Sequence, residues 1–128
     1  MTETSSGAGA GVPLGAWLAD LTDEQLIRLL ELRPDLTAPP PSSIAALAAR
    51  AQARQSVKAA TDELDFLHLA VLDALLLLHA DTTAVPLAKL FALVGERAVE
   101  ADVTAAVENL RTRALVWGES SVRVVAEA

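Results

Sequence analysis

The stretch Phe66–Ala80, FLHLAVLDALLLLHA, decides how the rest of the chain is read. It suits a helix of about four turns, yet its fifteen residues, interrupted by His68, Asp73 and His79, fall short of the roughly 20 that cross a bilayer. Apolar side chains occupy nearly every angle around it: Leu67, Leu69, Val71, Leu72, Leu75, Leu76, Leu77 and Leu78. Such a helix is expected to be covered on more than one side and to form the centre of the fold.

Downstream of this helix the punctuation is clear. Thr82–Val85 is β-capable, Pro86 suits the first turn of a helix running to Val94, and Gly95 is a natural stop. A helix from about Val99 to Arg113 would turn Val103, Val107 and Leu110 inward. Leu115–Trp117 and Val122–Val125 read as strands around the turn Gly118–Ser121. Helix, strand, helix, helix, strand, turn, strand is the winged-helix order, so residues 65–128 are expected to be a winged helix with a small β-wing.

Upstream, Leu14–Leu21 suits a short helix, and Thr22 with Gln25 three residues on is a capping box opening Asp23–Leu32. Arg33-Pro34 ends that helix, and Thr37–Pro41 is a stiff extended connector. Ser42 or Ser43 caps a helix to about Ala51, and Ser56 caps a second over Val57–Leu64. Two short helices joined by a turn match a helix-turn-helix; one continuous helix from Ser43 to Leu64 is the alternative, since the turn holds no Gly or Pro. The expected organisation is a flexible start at residues 1–12 and a helix-turn-helix-like subdomain at 13–64. This subdomain packs on the winged helix at 65–128 and shares one core with it.

Composition agrees with a mainly α fold. With 128 residues and 13.4 kDa the chain is too short for a multi-domain enzyme, and its 52% apolar content excludes disorder for all but its ends. Twenty-six alanines and twenty-two leucines against two Ile, two Phe, two Trp and no Tyr favour helices over sheets. A net charge of −7 repels polyanions at long range. The absence of cysteine excludes disulfides, thiolate ligands and a thiol nucleophile. Met1–Gly11 has no basic segment and does not read as a secretory signal, so a cytoplasmic location is expected.

Candidate chemistry is sparse. No GxxxxGK[ST] loop is present, and His68 and His79 lie about three helical turns apart without a third metal ligand. Asp62, Glu63 and Asp65 read as a solvated helix start, and Asp20, Asp23 and Glu24 as helix-end charges. No catalytic, cofactor-binding or metal-binding residue is expected, and no small-molecule substrate. The second helix of the expected winged helix would show Glu100, Asp102, Thr104 and Glu108 to a DNA groove, with Arg111 and Arg113 only at its far end. The wing offers Arg123 beside Glu119. The one basic stripe is Arg50, Arg54 and Lys58, four residues apart if helical, with Gln55 and Ser56 beside it. These are the nucleic-acid candidates, suited to a weak and salt-sensitive contact. The competing role is a solvated face pairing with Asp62 or Glu63. Trp17 and Trp117 are the protein-interface candidates where exposed and core pegs where not.

A family resemblance gathers these segments. Trp17-Leu18, Leu29-Leu30, Arg33-Pro34-Asp35-Leu36 with Pro39 and Pro41, Leu47–Arg50, Ser56-Val57, Leu64-Asp65 and Val71–Leu75 together resemble the N-terminal region of the bacterial XPB-like helicase-associated proteins. The likeness runs from about Leu14 to the end, with the RPDL-x-x-P-x-P stretch its most specific part. It implies winged-helix elements near DNA-repair or helicase machinery, and a longer parent of which this chain is a fragment or excised domain. The motor motifs of such a parent lie outside this chain, so no catalytic residue carries over. The expected function is a non-catalytic module of a helicase-associated protein. It would dock a protein partner, or the remainder of a longer helicase-like chain, with weak DNA contact and no membrane. The alternative is a sequence-specific DNA-binding transcription regulator, which would need a dimer. A hydrolytic carboxylate or histidine site is a distant third.

Overall fold

Local sequence signals set most of the element boundaries. A computed structural model describes residues 12–95 and 98–126, which are mainly helical with a small antiparallel sheet. In chain order the elements are α1 (Leu14–Ala19), α2 (Asp23–Leu32), a 3-10 turn (Pro34–Thr37), α3 (Ile44–Ala51), α4 (Arg54–Thr61) and α5 (Phe66–Leu77). Then follow β1 (Val85–Pro86), α6 (Leu87–Val94), α7 (Glu100–Thr112), β2 (Val116–Gly118) and β3 (Ser121–Val124). The flexible start expected at residues 1–12 lies outside the described residues except for Val12.

Three helices begin where a side chain satisfies an otherwise orphaned backbone N–H. Thr22 and Gln25 form the reciprocal capping box, the Gln25 N–H donating to Thr22 Oγ1 at 3.1 Å and the Thr22 N–H to Gln25 Oε1 at 2.9 Å. Ser43 Oγ accepts from the Ala46 N–H at 3.0 Å, and Asp65 Oδ1 from the His68 N–H at 3.0 Å. The chain between Ser43 and Leu64 breaks at Gln52-Ala53, so it is two helices and not one. Ser56, however, is no cap: α4 already begins at Arg54, after an Ala53 without a side-chain cap. The long apolar helix also stops earlier than its composition suggests, at Leu77, and His79 takes a left-handed turn with φ 64°.

The three strands are ordered β1-β3-β2, all antiparallel. Val85 pairs with Val122, and Val116, Trp117 and Gly118 pair with Val124, Arg123 and Val122. Pro86 is tolerated because β1 is an edge strand. Trp117 is 3% exposed, donates Nε1–H to the Val12 carbonyl at 2.8 Å, and has the Arg123 guanidinium 5.4 Å above its ring. It is therefore a core side chain and not an exposed interface residue, because β2 turns it toward the chain start.

One hydrophobic cluster runs through both halves, from Leu14 and Leu18 through Leu72 and Leu75 to Leu110, Leu115, Val122 and Val124. Each fully buried leucine contributes on the order of 2 kcal/mol. Helix α5 lies in the middle, packed by α6, α7 and β3.

At the seam sits Arg33, 1% exposed. It ends α2, and Pro34 starts the following 3-10 turn, which swings the side chain inward. Its Nη1–H donates to the Arg113 carbonyl at 2.9 Å, and Nη2–H to the Ala51 carbonyl at 2.7 Å and to Ser56 Oγ at 2.9 Å. The Ser56 hydroxyl donates in turn to Asp35 Oδ2. One side chain thus ties the C-terminal ends of α2, α3 and α7 to α4, where orphan carbonyls collect. Burial lowers the pKa of the guanidinium from its ordinary value, and the Asp35 carboxylate opposes that shift.

Arg33→Met is expected to destabilise the fold by about 3 kcal/mol, because it removes the donor from the buried Ala51 carbonyl and Ser56 hydroxyl and from the part-buried Arg113 carbonyl. Arg28→Met, at an exposed residue paired with Glu31, should change stability by less than about 0.5 kcal/mol. Urea denaturation of the two variants checks this, and Arg33→Lys should recover little, since an ammonium lacks the planar fork. Gly118 has φ 107°, and a Cβ there would meet the Ser121 carbonyl oxygen at 2.3 Å. Gly118→Ala is accordingly expected to lower the melting temperature more than Gly95→Ala, where φ is also positive but nothing lies within 4 Å.

Candidate functional site

The basic residues proposed for nucleic acid do not share one stripe, because the break at Gln52-Ala53 puts Arg50 on α3 and the rest on α4. Arg50 is half-buried and turned onto the connector, its Nη1–H donating to the Leu36 carbonyl at 2.8 Å and also to the Pro39 carbonyl. Ser56 is buried in the Arg33 network. Arg54 and Gln55 are exposed on the first turn of α4, and exposed Lys58 pairs with Asp62 at 3.0 Å. The front of α7 is acidic, with Glu100, Asp102, Thr104 and Glu108 all exposed. Arg111 holds Glu108 and donates Nε–H to the Gly118 carbonyl at 2.7 Å and Nη2–H to the Glu119 carbonyl. Arg123 is half-buried against Trp117 and donates to the Asp81 carbonyl. Among these residues Arg50, Ser56, Arg111 and Arg123 serve the fold directly.

Trp17 is half-buried and lines a cleft of about 410 Å³ between α2 and α7, with Leu21, Glu24, Arg28, Glu108 and Arg111. The cleft has charges of both signs beside Trp17 and Leu21, and its arginines already hold Glu31 and Glu108. Among the described residues no three of His, Cys, Asp or Glu are grouped to hold a metal ion, and no helix is long and apolar enough to cross a membrane.

A different feature emerges on α5. Its buried face is Val71, Leu72, Ala74 and Leu75, but Phe66 is 86% exposed and Leu77 72% exposed. The helix is covered on several sides and yet open along one. Phe66, Ala70, Asp73 and Leu77 recur every three or four residues and so form one ridge along its open side. Leu93, Val94 and Ala98 form the facing wall, and the groove between encloses about 360 Å³. Helix α6, on the facing side, is only eight residues long and ends before Gly95, whose φ is 62°. Large apolar side chains exposed singly are ordinary; here Phe66, Leu77 and Leu93 are exposed together around one groove.

The groove's N-terminal end is firmly held. Asp65 caps α5 and accepts a hydrogen bond from His68 Nδ1–H, while the Asn109 amide donates to His68 Nε2 at 3.3 Å, tying α5 to α7. The hydrogen bond from the His68 side chain, followed by that from its backbone, lowers the Asp65 pKa from its ordinary value. This stabilisation is therefore present above the unfolded carboxylate pKa and is lost as pH falls through the lowered one.

The sequence missed both Arg33 as a seam and the open ridge of α5. An all-round apolar helix hides its exposed face, since the pattern carries no angular contrast to show which side is left bare. Substitution separates the two kinds of leucine. Phe66→Ser with Leu77→Ser is expected to change unfolding free energy by less than about 1 kcal/mol, whereas Leu75→Ala should cost about 3 kcal/mol. Chemical denaturation of these variants measures the difference.

No protein-family model matches the chain, and no curated protein or solved structure matches it. What the molecule does must be read from its own surface.

Proposed function

We propose that the chain is a cytoplasmic, non-catalytic module that works by docking a protein partner in the α5–α6 groove. The observation that carries this reading is the apolar groove itself, walled by Phe66, Leu77 and Leu93 on a face the fold leaves uncovered. In this reading residues 65–128 are a winged helix, supported by the element order α5-β1-α6-α7-β2-β3 and the strand order β1-β3-β2. Residues 13–64 are the helix-turn-helix-like unit packed behind it, supported by the break between α3 and α4. A place in a helicase-associated parent rests on the RPDL resemblance, in which Arg33 and Leu36 are both buried.

DNA contact is the subordinate part of the proposal. The acidic front of α7 argues against groove reading, and Arg54, Gln55 and Lys58 offer at most a weak contact. Fluorescence anisotropy with a labelled duplex across a salt series tests it. Any binding is expected only at low salt and is abolished by Arg54→Glu with Lys58→Glu, with thermal stability nearly unchanged. Saturable binding by a dimer at about 0.15 M salt would instead establish the transcription-regulator alternative. For docking, the isotope-labelled chain titrated with a synthetic amphipathic helical peptide should show shifts clustered on α5 and α6. Shifts absent from both helices would sink the docking role.

A further inference from the structure

Asp73 stands in the middle of the open ridge and is the one charged residue lining the groove among the described residues. It is exposed and makes no ion pair or hydrogen bond among them. A carboxylate centred in an apolar surface is harmless while water covers it. Once a partner excludes that water, the carboxylate must be met by a cation or left unpaired at a cost. Along α5 itself and its start, the nearby acidic residues share its sign. Glu63 and Asp65 precede Phe66, α5 carries no Lys or Arg, and Lys89 is the single basic residue of α6.

We infer that the groove selects a partner helix whose apolar stripe carries a lysine or arginine at its middle, with Asp73 as the residue that sets this specificity. The inference rests on the docking reading and deepens it. A helix fits better than a strand, because the groove walls are helices whose backbone groups are internally bonded, leaving no strand edge to extend, and because the α5 ridge repeats at helical spacing. From Phe66 to Leu77 the ridge is about 16 Å long, matching some three turns of a partner. A purely apolar helix would bury Asp73 unpaired. A second copy of this chain would bring an identical Asp73, Glu63 and Asp65 against the first, on a molecule of net charge −7. Both are disfavoured by the same carboxylate, which acts as a repulsive element as much as an attractive one.

The test uses fluorescein-labelled synthetic peptides of about 14 residues with leucines at helical spacing and either Lys or Glu at the centre of the stripe. The full chain is titrated by anisotropy at low salt. The Lys peptide is expected to bind the wild type about five-fold or more tightly than the Glu peptide, the preference shrinking as salt rises. Asp73→Asn should remove the preference and Asp73→Lys should reverse it. Asp73 is exposed and unpaired, so both variants should fold, and circular dichroism confirms that they do. Phe66→Ser with Leu77→Ser should weaken both peptides. Equal affinity of the two peptides for the wild type overturns the charge selection while leaving docking intact. Absence of binding by either peptide to the folded wild type overturns docking and selection together. A concentration-dependent dimer in sedimentation equilibrium, dissolved by Phe66→Ser with Leu77→Ser, overturns the proposal in favour of a second copy as occupant.

Discussion

The fold turns on one buried cation. Arg33 ends α2 and directs its donors to the carbonyls of Ala51 and Arg113 and to the hydroxyl of Ser56, three acceptors contributed by α3, α4 and the end of α7. Helix ends leave carbonyls without partners, and where several ends meet away from water something must donate to them. A guanidinium, with five donors in a planar fork, does this in a single side chain. Its Nε–H finds no partner, so the arrangement carries a local cost that the surrounding contacts offset. The same need explains Ser56, which an isolated view of the sequence assigns to a helix cap. The Arg33 network draws it into the interior, and α4 starts earlier without it.

With α2, α3, α4 and α7 tied together, α5 is packed against α7, α6 and β3 along its inner faces. Helix α6 is only eight residues long, and Phe66 and Leu77 are exposed. Buried and exposed apolar side chains are therefore divided along a single helix. Leu72 and Leu75 hold the core, and Phe66 and Leu77, on the same helix, hold none of it. Asp73 lies on the outer side of this division, where a carboxylate needs no internal partner.

Charge follows the same separation between what the fold uses and what it leaves available. Arg33, Arg50, Arg111 and Arg123 donate to backbone carbonyls inside the protein and are not available to phosphate in that arrangement. The acidic residues are largely at the surface, including the whole front of α7. A net charge of −7 therefore understates how acidic the accessible surface is. The RPDL stretch on which the family resemblance leans is a packing element, with Arg33 and Leu36 buried, and so bears on fold more directly than on chemistry.

The sequence by itself determined the helical class, the capping box at Thr22, a cap at Ser42 or Ser43, a helix start among Asp62, Glu63 and Asp65, the stop at Gly95 and the order of elements through β3, because each depends on neighbours within a few residues. It also determined the inward row Val103, Val107 and Leu110, which an amphipathic period reveals. Only the tertiary structure decided that Arg33 is the seam, that Trp117 is core, that Arg50 faces the connector and that one side of α5 is bare. These depend on which distant segment arrives to supply an acceptor or a covering side chain. An arginine before a proline has no local sign of the three partners it will meet, and a helix that is apolar all round does not say where its neighbours end.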